Sequence, residues 1–130
     1  MRFAQVIFTA AGIYGIVVLA PLYFLEGWLG RNAPPPITHP EFFYGFVGVA
    51  LAWQVVFLLI GRDPVRYRPI MIACVLEKLG YGLAVIVLLG LGRVAASTLI
   101  TAGIDLTLGA LFVAAYLKTP SQAPAVAGST

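Results

Sequence analysis

Three ionisable residues, Glu77, Lys78 and Asp105, stand inside long apolar runs of the chain. A charge at the depth of a bilayer costs about 2.5–3.5 kcal/mol on insertion scales, so such residues face protein and find partners. Lys78 lies four residues nearer one membrane face than Asp105, roughly 6 Å of helix rise, which a lysine side chain spans. The spacing predicts a Lys78–Asp105 ion pair between two helices. Adjacent helix positions diverge by about 100°, which turns Glu77 away from that pair, toward Gln54 with Tyr81 or Thr9. Two acids and one base leave a surplus negative charge, and Glu77 is expected to be held neutral. A neutral buried acid serves as a structural tie, as a hydrogen-bonding anchor for a ligand, or as a proton site. Glu77, Lys78, Asp105, Gln54, Tyr81 and Thr101 are therefore the candidate ligand- or proton-binding residues. Snorkelling of Lys78 to the nearer surface is the alternative to pairing.

Two further polar groups lie outside the apolar runs. Glu26, Arg31, His39 and Glu41 are expected to form a polar cluster at the outer face, where Glu41 suits the positive end of a helix that Thr38 or His39 caps. One histidine with two acids is a poor metal site, and no resident metal or cofactor is expected. At the other face Arg62, Arg66 and Arg68 form a compact basic turn suited to anionic lipid headgroups or to a partner subunit. The lone His39 excludes a bis-histidine haem, and the lone Cys74 excludes an internal disulfide or a cysteine metal cluster. Phosphate loops, zinc-protease helices and Ser-His-Asp sets have no matching motif, so an enzyme is not expected.

The elements that position these residues follow from composition. Of the 130 residues, 61% are hydrophobic and only 10% charged, with mean hydropathy +0.98. So short a chain cannot hide that much apolar surface in an aqueous core, and lipid is the solvent for the remainder. The formal charge is +3, but the eight basic residues are scattered, which argues against nucleic acid. Runs of about 20 apolar residues predict membrane spans at roughly 4–25, 42–60, 70–91 and 95–117. The first is too long for a signal-peptide core and is read as a retained span kinked at Pro21. Lys and Arg number five (Arg2, Arg62, Arg66, Arg68, Lys118) against two (Arg31, Arg93) across the alternating loops. That imbalance places both termini in the cytoplasm. Trp28, Tyr23, Phe42, Phe43 and Tyr44 then make an outer aromatic belt, with Tyr67 and Tyr116 at the inner one.

The expected architecture is one all-α domain over 1–118, an up-down-up-down four-helix bundle, with a disordered cytoplasmic tail over 119–130. Small and polar residues at helical spacing mark the expected inward faces. They are Gln5, Thr9 and Gly12 in the first span, and Gly45, Gly48 and Ala52 in the second. Ala73, Glu77, Gly80 and Ala84 mark the third, and Thr98, Thr101, Asp105 and Gly109 the fourth. Tyr14-Gly15 and Tyr81-Gly82 echo one another, although unequal spacing favours coincidence over a duplicated hairpin.

Length, span spacing, the Glu77-Lys78 pair and glycine-rich helices give the chain a layout that resembles small bacterial four-helix membrane proteins of the DoxX-like kind. The resemblance implies an accessory membrane subunit. The expected function is non-catalytic: an accessory subunit of a bacterial inner-membrane complex, or a bundle that binds a small molecule or lipid. The expected partners are membrane lipids and other membrane chains or further copies of this one. A small oligomeric proton-coupled transporter using Glu77 and Asp105 is the alternative.

Overall fold

A computed structural model of the chain describes residues 2–121, and most of the expected tail lies outside them. The described residues form five helices joined by short turns: α1 (Arg2–Leu19), α2 (Glu26–Asn32), α3 (Pro40–Arg62), α4 (Ile70–Gly90) and α5 (Leu99–Lys118). Four helical segments are long and apolar enough to cross a membrane: Arg2–Phe24, Pro40–Arg62, Ile70–Gly90 and Ala96–Lys118. The chain is thus a multi-pass helical membrane protein.

Local chemistry sets the boundaries. Pro21 removes a backbone donor, and the first span tightens there into a 3-10 segment, Ala20–Phe24, before the short α2. Pro40 opens α3 at a position whose N–H needs no partner. His39 is the residue before it, yet neither His39 nor Thr38 caps that end through its side chain; the His39 carbonyl accepts from Phe42 and Phe43 instead. Gly92, at φ 71°, takes the left-handed conformation that closes α4.

The helices associate as two close pairs, α1 with α3 and α4 with α5, joined chiefly through α1 and α5. Residues 9, 12 and 15 of α1 lie against residues 61, 58 and 54 of α3, descending as α1 ascends. Gly12, Gly15 and Gly61 have no room for a Cβ: at Gly15 it would run into the Gln54 side chain, and at Gly61 into Thr9. Close backbone approach through small residues is what drives helix association when the solvent is itself apolar. Gly82 packs in the same way beneath Leu106 of α5.

The core occupies the half of the bundle that holds Phe3 and Lys118. Phe8 stacks on Phe112 with ring centroids 4.2 Å apart, and Phe57 meets Phe112 edge-on at 5.0 Å. Ala4, Ala11, Ile60, Met71, Cys74 and Ala115 fill the space around the three rings. The outer surface carries exposed Val6, Val17, Phe42, Leu76, Val87, Ile100 and Leu117, a coat suited to acyl chains.

The inward faces differ from expectation on α3 and α4. A Cβ at Gly45 or Gly80 would meet nothing within 4 Å, and Ala52 is exposed. The buried face of α3 is instead Val47, Ala50, Gln54, Phe57 and Ile60, and that of α4 is Met71, Cys74, Lys78, Gly82 and Val85. On α4 the register is turned by one residue, so Lys78 takes the buried position and Glu77 lies beside it, half-buried. The α1 and α5 stripes hold where they meet neighbours, at Gly12 and at Gly109.

Candidate functional site

Above the aromatic core, all four long helices line a cavity of about 230 Å³. Its polar wall is built by Gln54 of α3, Glu77, Lys78 and Tyr81 of α4, and Thr101 and Asp105 of α5. Tyr14, Gly15, Leu19, Leu22, Phe46, Ala50 and Ile104 form the apolar side, with the half-exposed Val18 at its rim. The six residues singled out in the sequence therefore meet at one place.

Lys78 is its centre. The Nζ atom lies 3.6 Å from Asp105 Oδ1 and 3.6 Å from Glu77 Oε2, while the lysine side chain is 8% exposed. It also stands 5.2 Å above the Phe57 ring, so the cluster rests directly on the aromatic core. The Lys78–Asp105 pair forms as its spacing predicts. Glu77 departs from expectation: it turns to Lys78, its sequence neighbour, rather than to Gln54 or Thr9. A long lysine side chain bends far enough to serve both carboxyls, which the divergence of adjacent helix positions does not prevent.

Gln54 is anchored separately. Its Nε2 donates to the Ala50 carbonyl at 2.8 Å, leaving Oε1 buried with no hydrogen-bond partner. Glu77 Oε2 is likewise buried without a hydrogen bond, since 3.6 Å is ion-pair rather than hydrogen-bond distance. Gln54 Oε1, packed against Gly15, has no donor at all, a rare state that costs roughly 1–3 kcal/mol, whereas Glu77 Oε2 has the Lys78 ammonium as its counter-charge. Tyr81 donates to Thr101 Oγ1 at 2.8 Å, and Thr101 donates in turn to the Thr98 carbonyl at 3.0 Å. That short chain closes on the backbone and brings no donor to Gln54 Oε1 or Glu77 Oε2.

Tyr14, Gly15, Phe46 and Ala50 complete the cavity without having been read as site residues. Tyr14-Gly15 was visible only as an echo of Tyr81-Gly82. In the fold the likeness is local and physical: each tyrosine lines the cavity, and each glycine admits a neighbouring helix. A second, shallower hollow runs between α3 and α4, which touch little. It shares Phe46, Ala50, Glu77 and Tyr81 with the cavity.

The outer-face residues do not gather into one group. Tyr44 donates to Glu26 Oε2 at 2.9 Å, with the Tyr44 ring stacked 6.0 Å from Tyr23. His39 Nδ1 lies 3.4 Å from Glu41 Oε1, both largely exposed, and Arg31 joins no ion pair among the described residues. No trio of metal-ligating side chains occurs among the described residues. At the opposite end Arg62 and Arg66 are exposed. Arg68 is committed within the chain: its Nε donates to the carbonyls of Tyr116 at 3.1 Å and Thr119 at 2.7 Å, with the guanidinium 3.8 Å over the Tyr116 ring. It thereby satisfies carbonyls that the end of α5 leaves open. Thr119, the first residue of the expected tail, is buried and donates to the Ala115 carbonyl.

No protein-family model, no curated protein and no solved structure matches the chain. The cavity with its acid–lysine–acid wall is the feature on which a function can rest.

Proposed function

We propose that this chain is a non-catalytic small-molecule-binding protein of the bacterial inner membrane, holding its ligand in the cavity above Phe57. It would stand as an up-down-up-down bundle with both termini cytoplasmic, the orientation that the five-to-two distribution of Lys and Arg supports. The observation that carries the reading is a cavity lined by all four long helices whose polar wall gathers Gln54, Glu77, Lys78, Tyr81, Thr101 and Asp105. A bound molecule bearing a hydrogen-bond donor finds acceptors on that wall in the carboxyls of Glu77 and Asp105. Association with other membrane chains belongs to the same proposal, since the hollow at Gly45 and Gly80 leaves a helix face uncovered.

Native mass spectrometry of the gently solubilised protein tests the reading. The expected spectrum shows the chain with a bound hydrophobic compound, and Val18→Trp, which fills the cavity from its rim, loses it. A wild-type protein that carries no adduct after purification from native membranes would remove the proposal.

A second reading, proton-coupled transport, is favoured by the surplus carboxyl on a cavity wall. Its test is proton flux in proteoliposomes, where Glu77→Gln and Asp105→Asn are each expected to lower the rate. Flux unchanged in both variants excludes it.

A further inference from the structure

The cavity wall is unbalanced in charge as well as in hydrogen bonds. Glu77 and Asp105 both lie against Lys78, and no other basic side chain lines the space. With both carboxyls ionised the three sum to −1, a charge that is expensive in such surroundings and that a bound cation balances in place of the proton otherwise expected on Glu77. Gln54 Oε1 has no donor, and the Lys78 ammonium meets Glu77 Oε2 and Asp105 Oδ1 only at 3.6 Å, so one cation is shared between two carboxyls. What the wall lacks is a second positive charge, and an ammonium would bring N–H donors to carboxyls that Lys78 reaches only at ion-pair distance. The rest of the lining suits the body of such a molecule. Tyr14, Phe46 and Tyr81 offer aromatic surface, which attracts organic cations, and Val18, Leu19 and Leu22 are aliphatic.

The route into the site points to the same chemistry. The α3–α4 seam is the loosest in the bundle, and Glu77 and Tyr81 line both the cavity and the lipid-facing hollow along that seam. Gly45 and Gly80 put no side chain into the hollow, and nothing within 4 Å fills the space a Cβ would take there.

We propose that the occupant of the cavity is a lipophilic organic monocation, an alkylammonium in the simplest case, which reaches it between α3 and α4 and sets its N–H donors against Glu77 and Asp105. The inference rests on the ligand-binding reading above and adds the class of ligand.

Three probes of one chain length separate charge from apolarity: n-decylammonium, n-decanol and decanoate, titrated into the full-length protein in zwitterionic nanodiscs by calorimetry. Empty nanodiscs give the partitioning background. The expected order is decylammonium bound saturably, at one site per chain, and at least about tenfold more tightly than decanol, with decanoate at background. Glu77→Gln is expected to weaken decylammonium about tenfold while leaving decanol nearly unchanged. Val18→Trp, on the rim and away from the buried packing, is expected to abolish saturable binding of both.

Decanol binding as tightly as decylammonium, with both lost in Val18→Trp, overturns the cation and leaves the binding cavity standing. Saturable binding of no probe, or binding indifferent to Val18→Trp, overturns the cation and the cavity together. If Glu77→Gln fails to fold, Asp105→Asn takes its place with the same expectation, and decylammonium affinity unchanged there overturns the proposal.

Discussion

Lys78 holds two carboxyls with one ammonium, so removing it differs in kind from removing either acid. Lys78→Met leaves Glu77 and Asp105 facing one another without a counter-charge, and breaking a buried pair from one side typically costs about 3–5 kcal/mol. Asp105→Leu leaves Lys78 still paired to Glu77 at 3.6 Å and is expected to cost less. In the Lys78→Met/Asp105→Leu cycle, the coupling energy should exceed the ~0.6 kcal/mol average of membrane hydrogen bonds. Unfolding in mixed micelles measures it, and strictly additive losses would show that the 3.6 Å contact carries no energy. At this scale the sequence was informative: charged residues within apolar runs are conspicuous, and helix rise alone set Lys78 against Asp105. What it concealed was Gln54 Oε1. Whether a side-chain oxygen finds a donor depends on which carbonyl its own amide has taken, here Ala50, and that is a matter of rotamer.

Helix faces were the part least legible in the chain. In water, an apolar stripe tells which side of a helix is buried; in lipid both sides are apolar, and only small or polar residues carry a signal. Gly12, Gly15, Gly61 and Gly82 mark true contacts, whereas Gly45 and Gly80 mark a vacant seam, and composition does not distinguish them. Substitution does. Gly15→Ala drives a Cβ into the Gln54 side chain and is expected to lower stability by about 1–3 kcal/mol. Gly80→Ala meets no neighbour and is expected to be neutral or to stabilise α4 by up to about 1 kcal/mol through helix propensity. Thermal unfolding followed by circular dichroism compares the two, and equal losses would contradict the α1–α3 register. The short α2 also escaped sequence reading, because seven residues with two glycines carry too little helical pattern to stand apart from a loop.

The whole molecule is packed unevenly along its length. One half is a dry aromatic core around Phe8, Phe57 and Phe112; the other holds the cavity, with the ion cluster at the boundary between them. Thiol chemistry reads this contrast. Cys74 is fully buried in the core and is expected to resist maleimide in the folded protein. Thr101→Cys, made with Cys74→Ala, is expected to react readily at the exposed rim of the cavity. Comparable labelling rates at the two positions would mean that the core is no better sealed than the cavity. The four crossings were readable because apolar runs of that length have few other uses, and Pro40, Arg62 and Gly90 fall at the ends of helices.

The split of the cluster between α4 and α5 bears on how the protein is made. Glu77 and Lys78 leave the ribosome well before Asp105, and α4 alone would carry both charges into the bilayer, each at roughly 2.5–3.5 kcal/mol. Only when α5 arrives does Lys78 meet its second carboxyl. The two helices thus have reason to partition from the translocation machinery as a hairpin, and a nascent chain cut before Asp105 is expected to remain longer beside the insertase than one released after Lys118.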